Sequence, residues 1–207
     1  MSLKPGLYAL LDDSVRPELP MIEKARAVIA AGVHTLQLRL EKTPDRPALD
    51  IVQAVVAIAG ATTVIVNDRV DLALAAKAQG VHLGAEDLPV HIARKLMGPN
   101  ALIGATTRTL EDIVAAKEQG ADHVGLGPIF ATTTKHVAHA ELGLEVFARI
   151  CAASPLPVVG IAGITLETIG AVAKAKAHCA AVAGDLLRAA DITTRARELR
   201  RAFGEQL

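Results

Sequence analysis

Two short apolar runs in the segment TVIVNDRVDLALAAKAQGVHLGAED, residues 63–87, both stop at acids: Asn67-Asp68-Arg69 after the first, Glu86-Asp87 after the second. Two carboxylates brought to one point repel each other unless positive charge lies between them. A hard divalent ion such as Mg²⁺, held by one or two carboxylates and completed by phosphate oxygens, resolves that conflict. Plainer roles are open to both residues. Asp68 can pair with Arg69 or another arginine, and Asp87, just ahead of Leu88-Pro89, suits the start of a helix.

Other stretches point to phosphate. GIAGIT (160–165) and VAGDLL (182–187) are turns of small residues leading into helical segments. Small side chains let a phosphate reach the backbone N–H groups at a helix start, where the helix dipole favours an anion. The loop PIFATTTKH carries Thr132, Thr133, Thr134 and Lys135, hydroxyl donors beside one ammonium, which suits a polyphosphate or else a solvated turn. The histidines show no HxH or HExxH spacing; His34, His82 and His123 read as strand or strand-start residues, and none as a zinc ligand.

Such residues need elements to hold them. The chain repeats a theme in which an Ala-rich amphipathic segment ends in a turn and a short β-rich run follows: AVIAAGVHTLQL, ALAAKAQGVHL, IVAAKEQGADHVGLG and AVAKAKAHCAAVAG. Glycine at those turns suits the left-handed residue past a helix end, with His178 a weaker match in the last. Eight strands are expected, near 7–11, 34–39, 63–67, 80–83, 101–105, 122–127, 157–161 and 178–183. Helical periods lie between them, as in 49–60 and 142–154. Short strands that are almost wholly apolar fit a sheet covered on both faces. Eight strands alternating with eight helical segments indicate an α/β fold, a single-domain (β/α)8 TIM barrel over residues 1–207. An open doubly wound sheet would have fewer strands and a glycine-rich first turn, whereas the first turn here is LLDDSVRP.

In such a barrel the C-terminal strand ends form one rim, where active sites lie. Gln37, Arg39, Glu41 and Lys42 follow the second strand, Asn67 and Asp68 the third, and Glu86 and Asp87 the fourth. Thr106, Thr107 and Arg108 follow the fifth, Gly163 the seventh, and Ala183-Gly184-Asp185 the eighth.

Composition narrows the partners. The 207 residues are 51% hydrophobic but only 2% aromatic, so Ala, Val, Leu and Ile must fill the core. Formal net charge is zero and no basic run stands out, which argues against nucleic acid or an anionic membrane surface. Cys151 and Cys179 read as structural thiols of a reducing compartment. No signal-peptide core or membrane-spanning stretch appears, so a cytoplasmic protein acting on small molecules is expected, with a homo-oligomer left open.

Taken together and in order, GLYALLDDS, AGVHTLQLR, VIVNDRVDLALAAKAQGVHLGAED, IGATTRTLEDIVAAKEQGADHVGLGPIFATTTK and the PVVGIAGIT region resemble the thiamine phosphate synthase family, which also holds the thiazole tautomerase. The resemblance implies the joining of a hydroxymethylpyrimidine diphosphate to a thiazole phosphate, with release of pyrophosphate. It implies that Gln37, Arg39, Asn67 and Lys135 hold the diphosphate with Thr106 beside it, Arg39 and Lys135 being the catalytic cations. Asp68 and Asp87 would bind Mg²⁺, Thr132 and Thr134 would contact the thiazole, and Gly163 with the Ala183-Gly184 backbone would cradle its phosphate.

The chain departs from the family pattern at several of these places. Gln37-Leu38-Arg39-Leu40-Glu41 puts an acid where the family has a lysine, with Lys42 one place late, and a one-residue shift on a strand turns a side chain to the other face. Ala85 stands for Gln, Thr106 for Ser, Ala131 for Pro, Ala162 for the first of two glycines, and Gly184-Asp185 for Ser-Ala. Glu41 and Asp185 are what a diverged paralog would carry, one that binds a phosphorylated heterocycle without joining it. Intact Asp68, Asp87 and Lys135 favour the synthase. The tautomerase needs a histidine in the loop after the sixth strand, where this chain has Gly127-Pro128.

Overall fold

In the computed structural model, which describes residues 2–131 and 140–206, eight parallel strands close on one another in chain order. They are β1 (Gly6–Asp12), β2 (Thr35–Arg39), β3 (Thr63–Asn67), β4 (Gly80–Leu83), β5 (Leu102–Thr107), β6 (His123–Leu126), β7 (Val158–Gly160) and β8 (Cys179–Val182). The apolar runs of the sequence are these strands, and β3 and β4 keep the expected limits. Closure of β8 on β1, with Tyr8 opposite Ala181, rules out the open sheet.

Alternation along each strand divides the core in two. Outward residues such as Leu36, Leu38, Val64, Val66, Val81 and Val124 join the helices in one large buried cluster. Inward residues, among them Tyr8, Ile65, Leu102, Val159 and Ala181, fill the lumen. Each fully buried Val, Leu or Ile contributes roughly 1.5–3 kcal/mol relative to exposure, so the helix-facing layer carries most of the stability.

The described residues hold nine helices rather than eight: α1 (Met21–Ala30), α2 (Asp45–Ile58), α3 (Val70–Ala75), α4 (Val90–Met97), α5 (Leu110–Glu118), α6 (Gly143–Ala153), α7 (Ile169–Lys174), α8 (Gly184–Leu187) and α9 (Ile192–Phe203). The extra one arises because the last helical stretch breaks at Asp191, whose carboxylate caps α9 through the Thr194 N–H at 3.1 Å. Helix α2 starts earlier than expected, since Pro47 falls in its first turn, where a missing N–H breaks no bond.

The repeated turns use two devices where one was expected. Gly32 and Gly120 do take the left-handed conformation past α1 and α5, with φ of +75° and +97°. After α3 and α7 that conformation falls instead to Lys77 and Lys176. Gly80 lies within β4, where a Cβ would run into the Leu102 carbonyl of the neighbouring strand. At the closed end of the barrel, Glu205 accepts from the Leu7 N–H at 2.7 Å and pairs with Arg200 at 2.8 Å, tying the chain's last helix to its first strand. Cys179 is buried and Cys151 half-buried, and burial pushes both thiols up to about 12, consistent with structural roles.

Candidate active site

The rim at the ends of β2–β5 gathers most of the polar residues singled out by the sequence. Gln37 and Arg39 lie two apart on β2 and so share the lumen face. Register places Leu38 beside Val66 and Asn67 beside His82, so Arg39, Asn67 and His82 come from three adjacent strands at similar height. Gln37 is buried and donates through Nε2 to the Tyr8 hydroxyl at 3.0 Å, which fixes the direction its amide presents. Thr106 ends the row; its hydroxyl meets His82 Nε2 at 3.0 Å.

The two carboxylates are held differently. Arg69 binds Asp71 and Asp45, which raise its pKa, and the Asn67 Nδ2 donor reaches Asp68 at 2.6 Å. Asp68 itself has φ +61°, unusual for a residue with a side chain, and its N–H donates to the His82 carbonyl at 2.8 Å. Asp87 does not cap α4, whose first residue is Val90. Its carboxylate instead folds back onto the Gly84 N–H at 2.6 Å. Two half-buried carboxylates are thus held at the ends of β3 and β4, on strands whose backbones are hydrogen-bonded there.

Arg39 is the cation of this corner. Its side chain is only 11% exposed, with Nη2 on Glu41 Oε1 at 2.6 Å and Nη1 on Asp12 Oδ2 at 3.5 Å. Its Nε has no partner among the described residues. Strand β2 ends at Arg39, so Glu41 stands in the following turn and still reaches the guanidinium. Lys42, one place later, is exposed; its N–H and the Thr43 hydroxyl both bind the Asp13 carboxylate at 2.9 Å, lashing this turn to the end of β1.

The opposite side of the mouth is built from backbone. Ala162 and Gly163, after β7, both have left-handed conformations, φ +71° and +67°. A Cβ on Gly163 would strike the Ala131 carbonyl and Phe130, so this turn lies hard against the β6 loop. Ala183 precedes α8, which begins at Gly184. Asp185 pairs with Arg195 of α9 at 3.3 Å, which turns the acid toward the outer helix layer. Thr132, Thr134 and Lys135 lie outside the described residues.

Sequence reasoning missed how Tyr8, His82 and His123 line the lumen together. His123 is fully buried, 6.2 Å from Tyr8 and 5.8 Å from His82 between ring centres. Neither of its ring nitrogens has a partner among the described residues, and burial holds its pKa down at about 4, with His178 adding to the effect. The usable signal was Gly104: a Cβ there would collide with both imidazoles, so a small residue on β5 leaves room for large ones on β4 and β6.

The donors near Asp68 and Asp87 suit a hard cation. Asp68 and Asp87 present carboxylate oxygens only, and no group of three or more His, Cys, Asp or Glu side chains is poised for a metal among the described residues. Two carboxylates with phosphate and water oxygens completing the shell match Mg²⁺ better than zinc.

The fold is shared with a solved 3-hexulose-6-phosphate synthase, which superposes with a TM-score of 0.70 at 22% identity, a likeness of fold alone. The family is narrower than the fold. The chain belongs to the thiamine monophosphate synthase family, whose model matches residues 7–186. It is 52% identical over 203 residues to the thiamine-phosphate synthase of Myxococcus xanthus, covering 97% of this chain and 93% of that one. Against the thiamine-phosphate synthase of Anaeromyxobacter dehalogenans the identity is 48%, covering 96% and 87%. The solved thiamine phosphate pyrophosphorylase of Pyrococcus furiosus superposes with a TM-score of 0.86 at 32% identity, covering 96% of this chain and 95% of that one.

Proposed function

We propose that the barrel mouth condenses 4-amino-2-methyl-5-hydroxymethylpyrimidine diphosphate with a thiazole phosphate to give thiamine phosphate and pyrophosphate. The activity, a transferase reaction, rests on family membership at high identity along nearly the whole chain. The observation that carries the site assignment is the convergence of Gln37, Arg39, Asn67, Asp68, Asp87 and Thr106 on the ends of four successive strands.

The chemistry asks little of the protein as acid or base. Pyrophosphate leaves from a methylene carbon attached to an electron-rich aminopyrimidine, and that ring can carry the developing positive charge. The thiazole nitrogen then forms the new bond to the same carbon. The leaving group must be neutralised, and the two rings must be held in line; both are tasks of preorganised charge and position. Arg39 serves the first task, with Gln37 and Asn67 donating N–H groups whose directions are set by Tyr8 and Asp68. Lys135 joins them on the resemblance of its loop, as do Thr132 and Thr134 toward the thiazole. Thr106, fixed by His82, flanks the diphosphate. Gly163 and the Ala183-Gly184 backbone would receive the thiazole's phosphate on N–H groups, with Asp185 turned away toward Arg195. Asp68 and Asp87 would hold a Mg²⁺ ion, which supplies positive charge for the departing pyrophosphate. Small phosphorylated substrates and a cytoplasmic setting go with this reading. No helix among the described residues is long and apolar enough to cross a membrane.

The test is turnover of the two substrates with Mg²⁺, following thiamine phosphate and pyrophosphate. Removing a single group that stabilises leaving-group charge costs on the order of 10²–10³-fold in such sites, the loss expected of Asp68→Ala. Well-folded wild-type protein that binds both substrates yet releases no pyrophosphate would support the other reading, a diverged binder, for which the Glu41–Arg39 pair is the favouring observation.

A further inference from the structure

We propose that Glu41 is a built-in stand-in for the diphosphate: its carboxylate occupies the Arg39 fork in the free protein and must be displaced for substrate to bind. The proposal rests on the reading of Arg39 as a diphosphate ligand. It makes Glu41 a residue that tunes affinity for one of the two substrates.

Three observations carry it. First, the contact is short and uses a terminal nitrogen of the guanidinium. A guanidinium offers five donors and no acceptor, and here Nη2 is taken by Glu41 at 2.6 Å, Nη1 is near Asp12 at 3.5 Å, and Nε has no partner among the described residues. A carboxylate and a phosphate present the same pair of acceptor oxygens to that fork. Second, the partners differ in burial. Arg39's side chain is 11% exposed and packed at the end of β2, whereas that of Glu41 is 49% exposed and stands in a turn. Glu41 is therefore the member free to leave. Third, Arg39 stands between two carboxylates, Asp12 and Glu41, so an incoming diphosphate must compete with one of them for the guanidinium.

An ordinary half-exposed ion pair would contribute little and affect binding of nothing in particular. The two ideas part on substrate selectivity. Inorganic pyrophosphate with Mg²⁺ would be titrated into the full chain and into Glu41→Gln, Glu41→Lys and Asp68→Ala, and steady-state kinetics run on wild type and Glu41→Gln. The amide keeps the volume of an exposed side chain, so folding is preserved. Expected is pyrophosphate binding about 3–10-fold tighter in Glu41→Gln, tighter still in Glu41→Lys, and weaker in Asp68→Ala, a range set by one charge contact at an effective dielectric near that of a protein surface. The KM for the pyrimidine diphosphate should fall by the same factor, with kcat within about twofold and the KM for the thiazole phosphate unmoved. Wild type and Glu41→Gln binding pyrophosphate equally, with Asp68→Ala defective, would overturn the stand-in while leaving the Arg39 reading intact. An equal fall in both KM values would overturn it too, as a general charge effect. Pyrophosphate bound by none of the proteins would overturn the Arg39 reading and the proposal together.

Discussion

At the β2 end of the mouth an acid closes on the site's own cation, Glu41 on Arg39 at 2.6 Å; at the β8 end an acid leaves the site, Asp185 turning to Arg195 at 3.3 Å. Both residues place negative charge where a phosphorylated ligand is proposed to bind, and on paper both should repel it. The difference lies in what each finds within reach. Among the described residues Glu41 meets the buried guanidinium that the ligand is proposed to need, so its cost is expected to fall on binding. Asp185 sits in the first turn of α8 beside a helix that supplies a second arginine, so its charge is met away from the mouth. The two ends also differ in material. The β2–β5 side presents side chains held by hydrogen bonds, whereas the turn after β7 presents backbone, left-handed at Ala162 and Gly163.

The largest effect expected on stability comes from between the two ends. His123 is buried neutral, with a folded pKa of about 4 against an ordinary value of 6.5. Above pH 6.5 both folded and unfolded states are unprotonated at this residue, and it contributes nothing to pH dependence. As pH falls from 6.5 to 4 the unfolded chain gains a proton that the folded one resists, so stability drops, by about 3 kcal/mol over the window. Urea unfolding at pH 7 and pH 4.5 would show this slope, and His123→Phe should flatten it. A loss of stability that is as steep in the variant would assign the slope to other groups.

Next comes the backbone side. Gly163→Ala adds a side chain at φ +67° and against the Ala131 carbonyl, for a cost of about 1–3 kcal/mol and a raised KM for the thiazole phosphate only. If instead the diphosphate KM rises, the division of the mouth into two ends is wrong. The neighbouring Ala162→Gly should work the other way, since alanine at φ +71° is strained where glycine is not; a gain of up to about 1 kcal/mol is expected in thermal or urea unfolding. Smallest is Asp185→Asn. Because the carboxylate is already met by Arg195, the KM for the thiazole phosphate should change by less than about twofold and stability by less than about 1 kcal/mol. A large drop in that KM would place Asp185 in the mouth after all and erase the contrast with Glu41.

Much of the frame was legible from hydrophobic runs. The eight strands fall where apolar segments of four to six residues lie between helical periods, because a strand covered on both faces has little room for polar residues. Gln37, Arg39, Asn67, Asp68, Asp87 and Thr106 were found as residues just past or at strand ends, a position that barrel closure converts into one rim. Local chemistry was less legible. A helix start was the plainer role open to Asp87 ahead of a proline, but the chain bends so that its carboxylate meets Gly84 instead. Gly80 looked like a helix stop and is a point of close strand approach, visible only once Leu102 is beside it.

Sequence alone determined that this chain makes an α/β barrel of its family, and which of the described polar residues stand at or just past strand ends, since periodicity and motif order depend on neighbours along the chain. Tertiary structure decided which way those side chains point and what each one faces. Glu41 on Arg39, Asp185 on Arg195 and His123 among Tyr8 and His82 are all encounters made or denied by packing. An acid's effect on an anion site depends on the nearest positive charge in space, and for Asp185 that charge belongs to another helix.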